Sequence, residues 1–190
     1  MTEVILRLMR QRFSLFLLLF ALVPVASAQD DSAEKVAPYY PSPLPVVTQM
    51  LELGELKPGQ LHYDLGSGDG RLVIAAAMNI GARSVGYEID PNLVAASRKQ
   101  IEQLNLSHLA TIESQDLFEA DYSKPDLITV YLLPRALARL RPLLEEQMKP
   151  GSLVVSHDFK IPGWEPDETI EIDEEVEIDG LPHSVHLYRR

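Results

Sequence analysis

One stretch limits the possible folds of this chain more than any other: Leu61-His62-Tyr63-Asp64-Leu65, followed at once by Gly66-Ser67-Gly68-Asp69-Gly70-Arg71. A short apolar run that breaks into three glycines on alternate positions, then resumes as an apolar stretch from Leu72 to Met78, reads as a strand, a sharp turn and the start of a helix. The alternation repeats downstream. Ser84 to Ile89 is a second strand, and Pro91 sits where a first helical residue favours proline, in a helix that runs to about Leu104. Ala110 to Gln115 and Leu127 to Leu132 are a third and a fourth strand. Pro134 to Met148 is helical, with Leu137, Leu140 and Leu144 on one face, and Leu153 to Ser156 is a fifth, buried strand. This rhythm predicts an α/β fold, a mainly parallel sheet with helices over both faces.

Two flanks frame that core. Tyr39-Tyr40-Pro41-Ser42-Pro43 is too proline-rich for a helix interior. Val46, Val47, Met50, Leu51 and Gly54 then recur at helical spacing until Lys57-Pro58-Gly59 ends that helix. After Trp164 the pattern becomes alternating. Thr169 to Ile178 and Val185 to Tyr188, on either side of Asp179-Gly180, predict a C-terminal antiparallel hairpin at the sheet edge. The acidic run from Glu165 to Asp179 suits a solvated face whose charge blocks edge-to-edge pairing.

Residues 1–28 stand apart. Arg7, Arg10 and Arg12 precede an apolar run from Phe13 to Val23, and Ala26-Ser27-Ala28 gives the small-x-small pattern of a signal-peptidase site. The run is shorter than the roughly 20 apolar residues of a spanning helix. The expectation is a signal peptide at 1–28, a polar linker at 29–38 and one domain at 39–190, exported to the periplasm without stable membrane insertion after cleavage. An uncleaved N-terminal anchor is the alternative.

The 190 residues suffice for one compact domain. There is no cysteine, which excludes disulfides, thiol nucleophiles and zinc–thiolate sites. The net charge is −11, and loss of Arg7, Arg10, Arg12 and Glu3 with the leader takes 17 basic and 28 acidic side chains to 14 and 27, a net of −13. Such a surface repels a phosphate backbone, and no basic patch offsets it, so nucleic acid is not an expected partner.

The glycine turn selects a ligand by charge. A dinucleotide fingerprint requires glycine or alanine at position 71, where this chain has Arg71. A pyrophosphate seeks helix-end amides without nearby carboxylates, yet Asp64 precedes the turn and Asp69 lies inside it. By Coulomb sign alone, acidic side chains suit a sulfonium with an α-ammonium group, as in S-adenosyl-L-methionine, better than NAD. Gly66, Ser67 and Gly68 let the backbone approach such a ligand closely. Glu88, at the tip of strand two, can accept from both ribose hydroxyls. Asp116, after strand three, can accept from an adenine amino group while the amide of Leu117 donates to a ring nitrogen. Singly, each has another explanation: Asp69-Gly70 as an ordinary turn, Glu88 as a solvated strand end, Asp116 as a helix cap. Three such sites at three successive strand tips favour a single crevice.

These residues resemble those of class I methyltransferases, whose Asp-x-Gly-x-Gly-x-Gly motif is found here at Asp64 to Gly70. The similarity is closer to the small lysine N-methyltransferases that act on the ATP synthase c protein and the adenine nucleotide translocase. It runs through Asp64 to Arg71, Gly86-Tyr87-Glu88 and the helix opened by Pro91, and covers roughly Tyr39 to Trp164. The resemblance implies a Rossmann-like, seven-stranded sandwich, S-adenosyl-L-methionine as methyl donor, and transfer to a protein lysine amine. It also implies that Tyr40, Pro41, Ser42 and Pro43 close over the methionine end of the cofactor, Ser42 keeping the hydroxyl of the threonine frequent in that branch. Val130-Tyr131-Leu132-Leu133-Pro134 would face the methyl group; it lacks the Asn/Asp-Pro-Pro-Tyr signature of amino-methylating DNA enzymes.

Displacement at a sulfonium needs alignment and exclusion of water rather than a protein nucleophile. Tyr131 is the candidate for positioning an amine, with Tyr39 and Tyr40 as pocket walls; tyrosines packed on the sheet edge with solvated hydroxyls are the alternative. His157-Asp158-Phe159 falls on the crevice side of strand five, either as a substrate contact or as a buried structural histidine. His183 and His186, three apart on a strand, fall on opposite faces, so no metal is expected. Three other activities fit less well: a module holding S-adenosylmethionine or a related nucleoside without turnover, a small-molecule methyltransferase, and an NAD-linked oxidoreductase, which Arg71 and Asp69 oppose. The leader raises a conflict, because S-adenosylmethionine is made in the cytoplasm. Either the domain stays attached and faces inward, or it meets the cofactor outside, or it binds without turnover. The expected partner is a lysine-bearing, envelope-associated protein or a small molecule.

Overall fold

The computed structural model describes residues 39–172 and 182–190. The expected signal peptide and linker, and the stretch 173–181 with its Asp179-Gly180 turn, lie outside the described residues.

Strands β1 (Leu61–Leu65), β2 (Arg83–Glu88), β3 (Ala110–Ser114), β4 (Leu127–Val130) and β5 (Leu153–His157) run parallel. Strand β7 (His183–Arg189) pairs antiparallel with β5, and β6 (Glu168–Ile172) antiparallel with β7. The order across the seven-stranded sheet is β3-β2-β1-β4-β5-β7-β6. The hairpin strands thus lie at the edge, with the later one turned inward: β7 has neighbours on both sides and β6 forms the rim, its acidic side chains exposed.

Two-residue alternation splits the core into layers. Ile128, Val130, Val154 and Tyr188 cluster with Leu137, Leu140 and Leu144 of α4 (Pro134–Gln147). On the other face Leu127, Val155, Val185 and Leu187 cluster with Val46, Val47 and Met50 of α1 (Leu44–Leu53). A third cluster joins α3 (Pro91–Gln103), through Val94 and Ile101, to Ala110 and Ile112 of β3. Each such side chain, fully buried, contributes roughly 1.5–3 kcal/mol, which makes these stripes the main force holding helices to sheet.

Element ends depart from the sequence expectation where local chemistry intervenes. Strand β2 stops at Glu88, one residue early, because its own carboxylate accepts from the N–H groups of Ile89 and Asp90 at 2.8 Å each and bends the chain. Strand β4 stops at Val130, and the chain leaves the sheet to reach the helix-opening Pro134, which turns Tyr131 and Leu132 toward the cleft. The helix after the glycine turn, α2 (Arg71–Ala75), widens into a π-helical turn at Ala76–Ile80 that no sequence period announces. Helix α1 already stops at Leu53, ahead of Lys57-Pro58-Gly59. Strand order reverses between β1 and β4, and open α/β sheets hold their ligands outside the strand tips at such a point.

Candidate active site

The turn after β1 is built around backbone that an L side chain resists: Gly66, Gly68 and Gly70 have φ of 77°, 57° and 78°. Gly68 lies so close under the Tyr39 ring that a Cβ there would stand 2.7 Å from Tyr39 Cε2. Its N–H donates to Glu88 Oε2 at 2.8 Å, while Glu88 Oε1 accepts from Ile89 and Asp90. Three of the roughly four acceptor positions of that carboxylate therefore hold backbone. The sequence assigns Glu88 to the ribose hydroxyls; the geometry adds that it clamps the turn to β2, with Oε2 the less occupied oxygen.

A further observation concerns the charge of the turn. Arg71 grips Asp69 at both ends, Nε to Oδ1 at 2.9 Å and Nη2 to Oδ2 at 2.6 Å. Burial pushes the Asp69 carboxyl up, but the hydrogen bonds and charge of Arg71 outweigh it and hold Asp69 below the usual carboxylate range. Asp69 is thus already paired and supplies little to a cationic ligand. The third guanidinium nitrogen of Arg71, Nη1, donates to the carbonyl of Ser42 at 2.6 Å. In the sequence Arg71 served only to exclude a dinucleotide; in the molecule it hooks the Tyr39–Ser42 segment onto the turn.

Of the carboxylates that line the cleft, Asp64 is the buried one, 3% exposed. Burial pushes it up to about 7, with the Thr129 and Ser67 hydroxyls acting downward and the charges of Asp69 and Glu88 upward. Thr129 Oγ1 donates to Asp64 Oδ1 at 2.8 Å and lies 2.8 Å from His62 Nε2, whose Nδ1 is 2.7 Å from Ser84 Oγ. Among the described residues no Lys or Arg pairs with Asp64. An arriving ammonium would supply the missing counter-charge, so the donor set fits a cationic ligand.

At the tip of β3, Asp116 caps a short 3-10 turn (Leu117–Glu119), Oδ1 accepting from Phe118 N–H at 2.9 Å. The capping alternative is therefore realised, and Asp116 still lines the cleft. Tyr40, Ser42, Asp64, Gly66, Ser67, Gly68, Glu88, Asp116, Leu117 and Tyr131 all line one cleft with an empty volume of about 950 Å³, partly open to solvent. Tyr39 and Tyr40 form its outer lip and are half-exposed.

The family described as the ANTKMT methyltransferase domain matches residues 64–168, which carry every strand-tip acid of the cleft. The chain belongs to this methyltransferase family. The methyltransferase is 38% identical over 152 residues to a protein-lysine N-methyltransferase of Saccharolobus islandicus, a match covering 80% of this chain and 92% of that one. It is 33% identical over 129 residues to the adenine nucleotide translocase lysine N-methyltransferase of Mus musculus, a match covering 68% of this chain and 56% of that one. An RNA methyltransferase from Salinibacter ruber, solved with S-adenosyl-L-homocysteine, superposes with a TM-score of 0.73 at 45% identity, over 79% of this chain and 93% of that one. The enzyme is an S-adenosyl-L-methionine-dependent methyltransferase, and the uncompensated Asp64 agrees with a cationic methyl donor.

Two histidine expectations resolve in this methyltransferase. His157 is fully buried, so it does not touch substrate directly, yet its Nδ1 lies 2.9 Å from Ser42 Oγ in the cleft wall. Tyr131, expected beside the methyl group, packs against the His157 ring with centroids 3.9 Å apart and planes tilted by 38°, and donates from its hydroxyl to Asp158 Oδ2 at 3.0 Å. His183 and His186 do separate: His186 turns to Thr169 and Ser184, while His183 meets His157. His157, Asp158 and His183 bring ligating atoms within 4.8 Å of one another. Within that group His157 Nε2 and His183 Nδ1 lie 3.0 Å apart, within hydrogen-bond distance. Sequence reasoning missed Thr129, His62 and the role of Arg71. A histidine inside an otherwise apolar strand was the one available signal.

Proposed function

We propose that this enzyme methylates the side-chain amine of a lysine on a protein. The single observation that carries the reading is the cleft itself, with Asp64, Glu88 and Asp116 on three adjacent strand tips along one wall. The relatives named for lysine methylation support the acceptor class, one of them across nearly its whole length. The acceptor's positive charge also complements a chain of net charge −11. When bound, S-adenosylmethionine supplies a methyl carbon activated by its sulfonium. The chain's own work is to hold that group at the glycine turn, to position the amine beside Tyr131, and to keep water away beneath the Tyr39–Ser42 lip. Export through the N-terminal leader belongs to the same proposal, and places the acceptor in the cell envelope.

The name of the Salinibacter ruber neighbour supports RNA as a second acceptor class. The charge balance disfavours it, because a polyanion would approach an acidic surface. Labelled methyl transfer from S-adenosylmethionine into fractionated lysate, followed by mass spectrometry, separates the readings. Label on protein lysine is the expected result. Label in RNA, or only in small molecules, overturns it.

A further inference from the structure

Two hydroxyls of the cleft wall lead into one buried cluster. Ser42 Oγ, on the lip, lies 2.9 Å from His157 Nδ1, and the Tyr131 hydroxyl, beyond the tip of β4, donates to Asp158 Oδ2 at 3.0 Å. Behind them His157 Nε2 lies 3.0 Å from His183 Nδ1, and Asp158 Oδ1 lies 3.4 Å from each of those two nitrogens. Asp158 is held in place by the Ser184 N–H, which donates to Oδ1 at 3.0 Å, and its own backbone is left-handed, with φ of 57°. A non-glycine residue adopts that conformation at a cost, met here by the contacts its side chain makes.

A protonated amine has no lone pair, and lysine ionises near 10.4, so the amine must give its proton to water or to a group of the protein before it attacks. We propose that Ser42, His157 and Asp158 form such a group, a relay that takes the proton of the incoming amine; the proposal rests on the amine-methylating function above. The ammonium N–H donates its proton to Ser42 Oγ as the Ser42 hydroxyl proton passes to His157 Nδ1. The nitrogen keeps the electron pair, which then forms the new C–N bond. His157 becomes an imidazolium whose Nε2–H donates to His183 Nδ1, and the Asp158 carboxylate beside it balances the charge. The proton returns to water through Ser42 after the product leaves.

Among the described residues, these charged and titratable groups face the relay. Tyr131 faces His157 from the end of β4, His183 faces it from β7, and His186 contacts the Asp158 carbonyl. From the lip side Arg71 reaches the Ser42 carbonyl, its charge already matched by Asp69. Among these, Asp158 is the carboxylate placed to stabilise a protonated His157.

A purely structural cluster would make the same contacts, so the test must read proton transfer. The full chain is assayed from pH 6.5 to 9.5 with labelled S-adenosylmethionine and cell-extract proteins as acceptors, counting methyllysine, while calorimetry follows S-adenosylhomocysteine binding. Ser42→Ala and His157→Asn should lower kcat about 100-fold at pH 7, and the deficit should shrink toward pH 9.5 as more of the amine arrives deprotonated. Ser42→Thr, which keeps the hydroxyl, should rescue most of the loss seen in Ser42→Ala, with every variant assayed at cofactor levels that the S-adenosylhomocysteine calorimetry shows to be saturating. Should His157→Asn fail to fold, the Ser42 pair carries the test alone. A deficit equal at every pH, a Thr variant as impaired as Ala, or a loss explained by weaker cofactor binding overturns the relay alone. A wild-type enzyme that yields no methyllysine removes the function and the relay together.

Discussion

Asp64 and His62 stand two residues apart on β1, and burial moves them in opposite directions, the carboxyl up to about 7 and the imidazole down to about 3. In the unfolded chain His62 takes a proton below about 6.5 and in the folded chain not until about 3, so its burial destabilises the fold as pH falls through that window. Asp64 ionises above 3.8 when unfolded but not until about 7 when folded, so it destabilises the cofactor-free fold as pH rises, by up to about 4 kcal/mol. Between pH 4 and 6.5 the two slopes oppose each other. Asp64→Asn should therefore melt higher than wild type at pH 8 without cofactor, and lose that advantage by pH 4, as differential scanning fluorimetry would read. The same substitution removes the counter-charge for an ammonium. Wild-type affinity for S-adenosylmethionine should tighten about tenfold or more from pH 5 to 7.5, and the Asn variant should show a flat, weaker profile by calorimetry.

Between elements, the decisive contact is the turn lying on β2. Gly86 stands beside Asp64 in the sheet, and a Cβ there would lie 2.3 Å from Ser67 Oγ and 2.7 Å from Ile112 Cδ1. Gly86→Ala should thus push the turn off the strand, costing about 1–3 kcal/mol in stability and weakening cofactor binding together. Gly151→Ala is the control: nothing lies within 4 Å, so only its φ of 86° opposes the change, at about 1–2 kcal/mol, with affinity unchanged. Chemical denaturation and calorimetry on both variants check this. The same scale explains what was readable in advance. Glycines on alternate positions, proline at helix starts and acids at strand tips are local signals, and they placed β1 to β5 and seven residues of the cleft, Asp64, Gly66, Ser67, Gly68, Glu88, Asp116 and Leu117, while Tyr40, Ser42 and Tyr131 entered through the family resemblance. Thr129 meets Asp64, and Ser84 meets His62, only through strand register, Asp64 opposite Thr129 and His62 opposite Ser84. Residues 65 and 22 positions apart acquire a relation only when the sheet assembles, and no local period encodes it. Arg71 hid for another reason: its partner carbonyl belongs to an irregular segment whose path follows from tertiary packing.

For the molecule as a whole, the proposed export makes its own prediction. N-terminal sequencing of protein from a periplasmic extract should begin at Gln29; a full-length chain confined to the membrane pellet would instead identify an anchor. The topology bears on the order in which the fold can close. Strand β7 is the last of the seven to be synthesised, yet it fills the gap between β5 and β6, and its Val185, Leu187 and Tyr188 are fully buried. Until residues 183–189 emerge from the ribosome, β5 ends in an unpaired edge and two layers of the interior lack a wall. A chain that lacks β7 therefore presents an open sheet edge and two uncovered apolar layers, the kind of surface that keeps a partly folded species short of its native state.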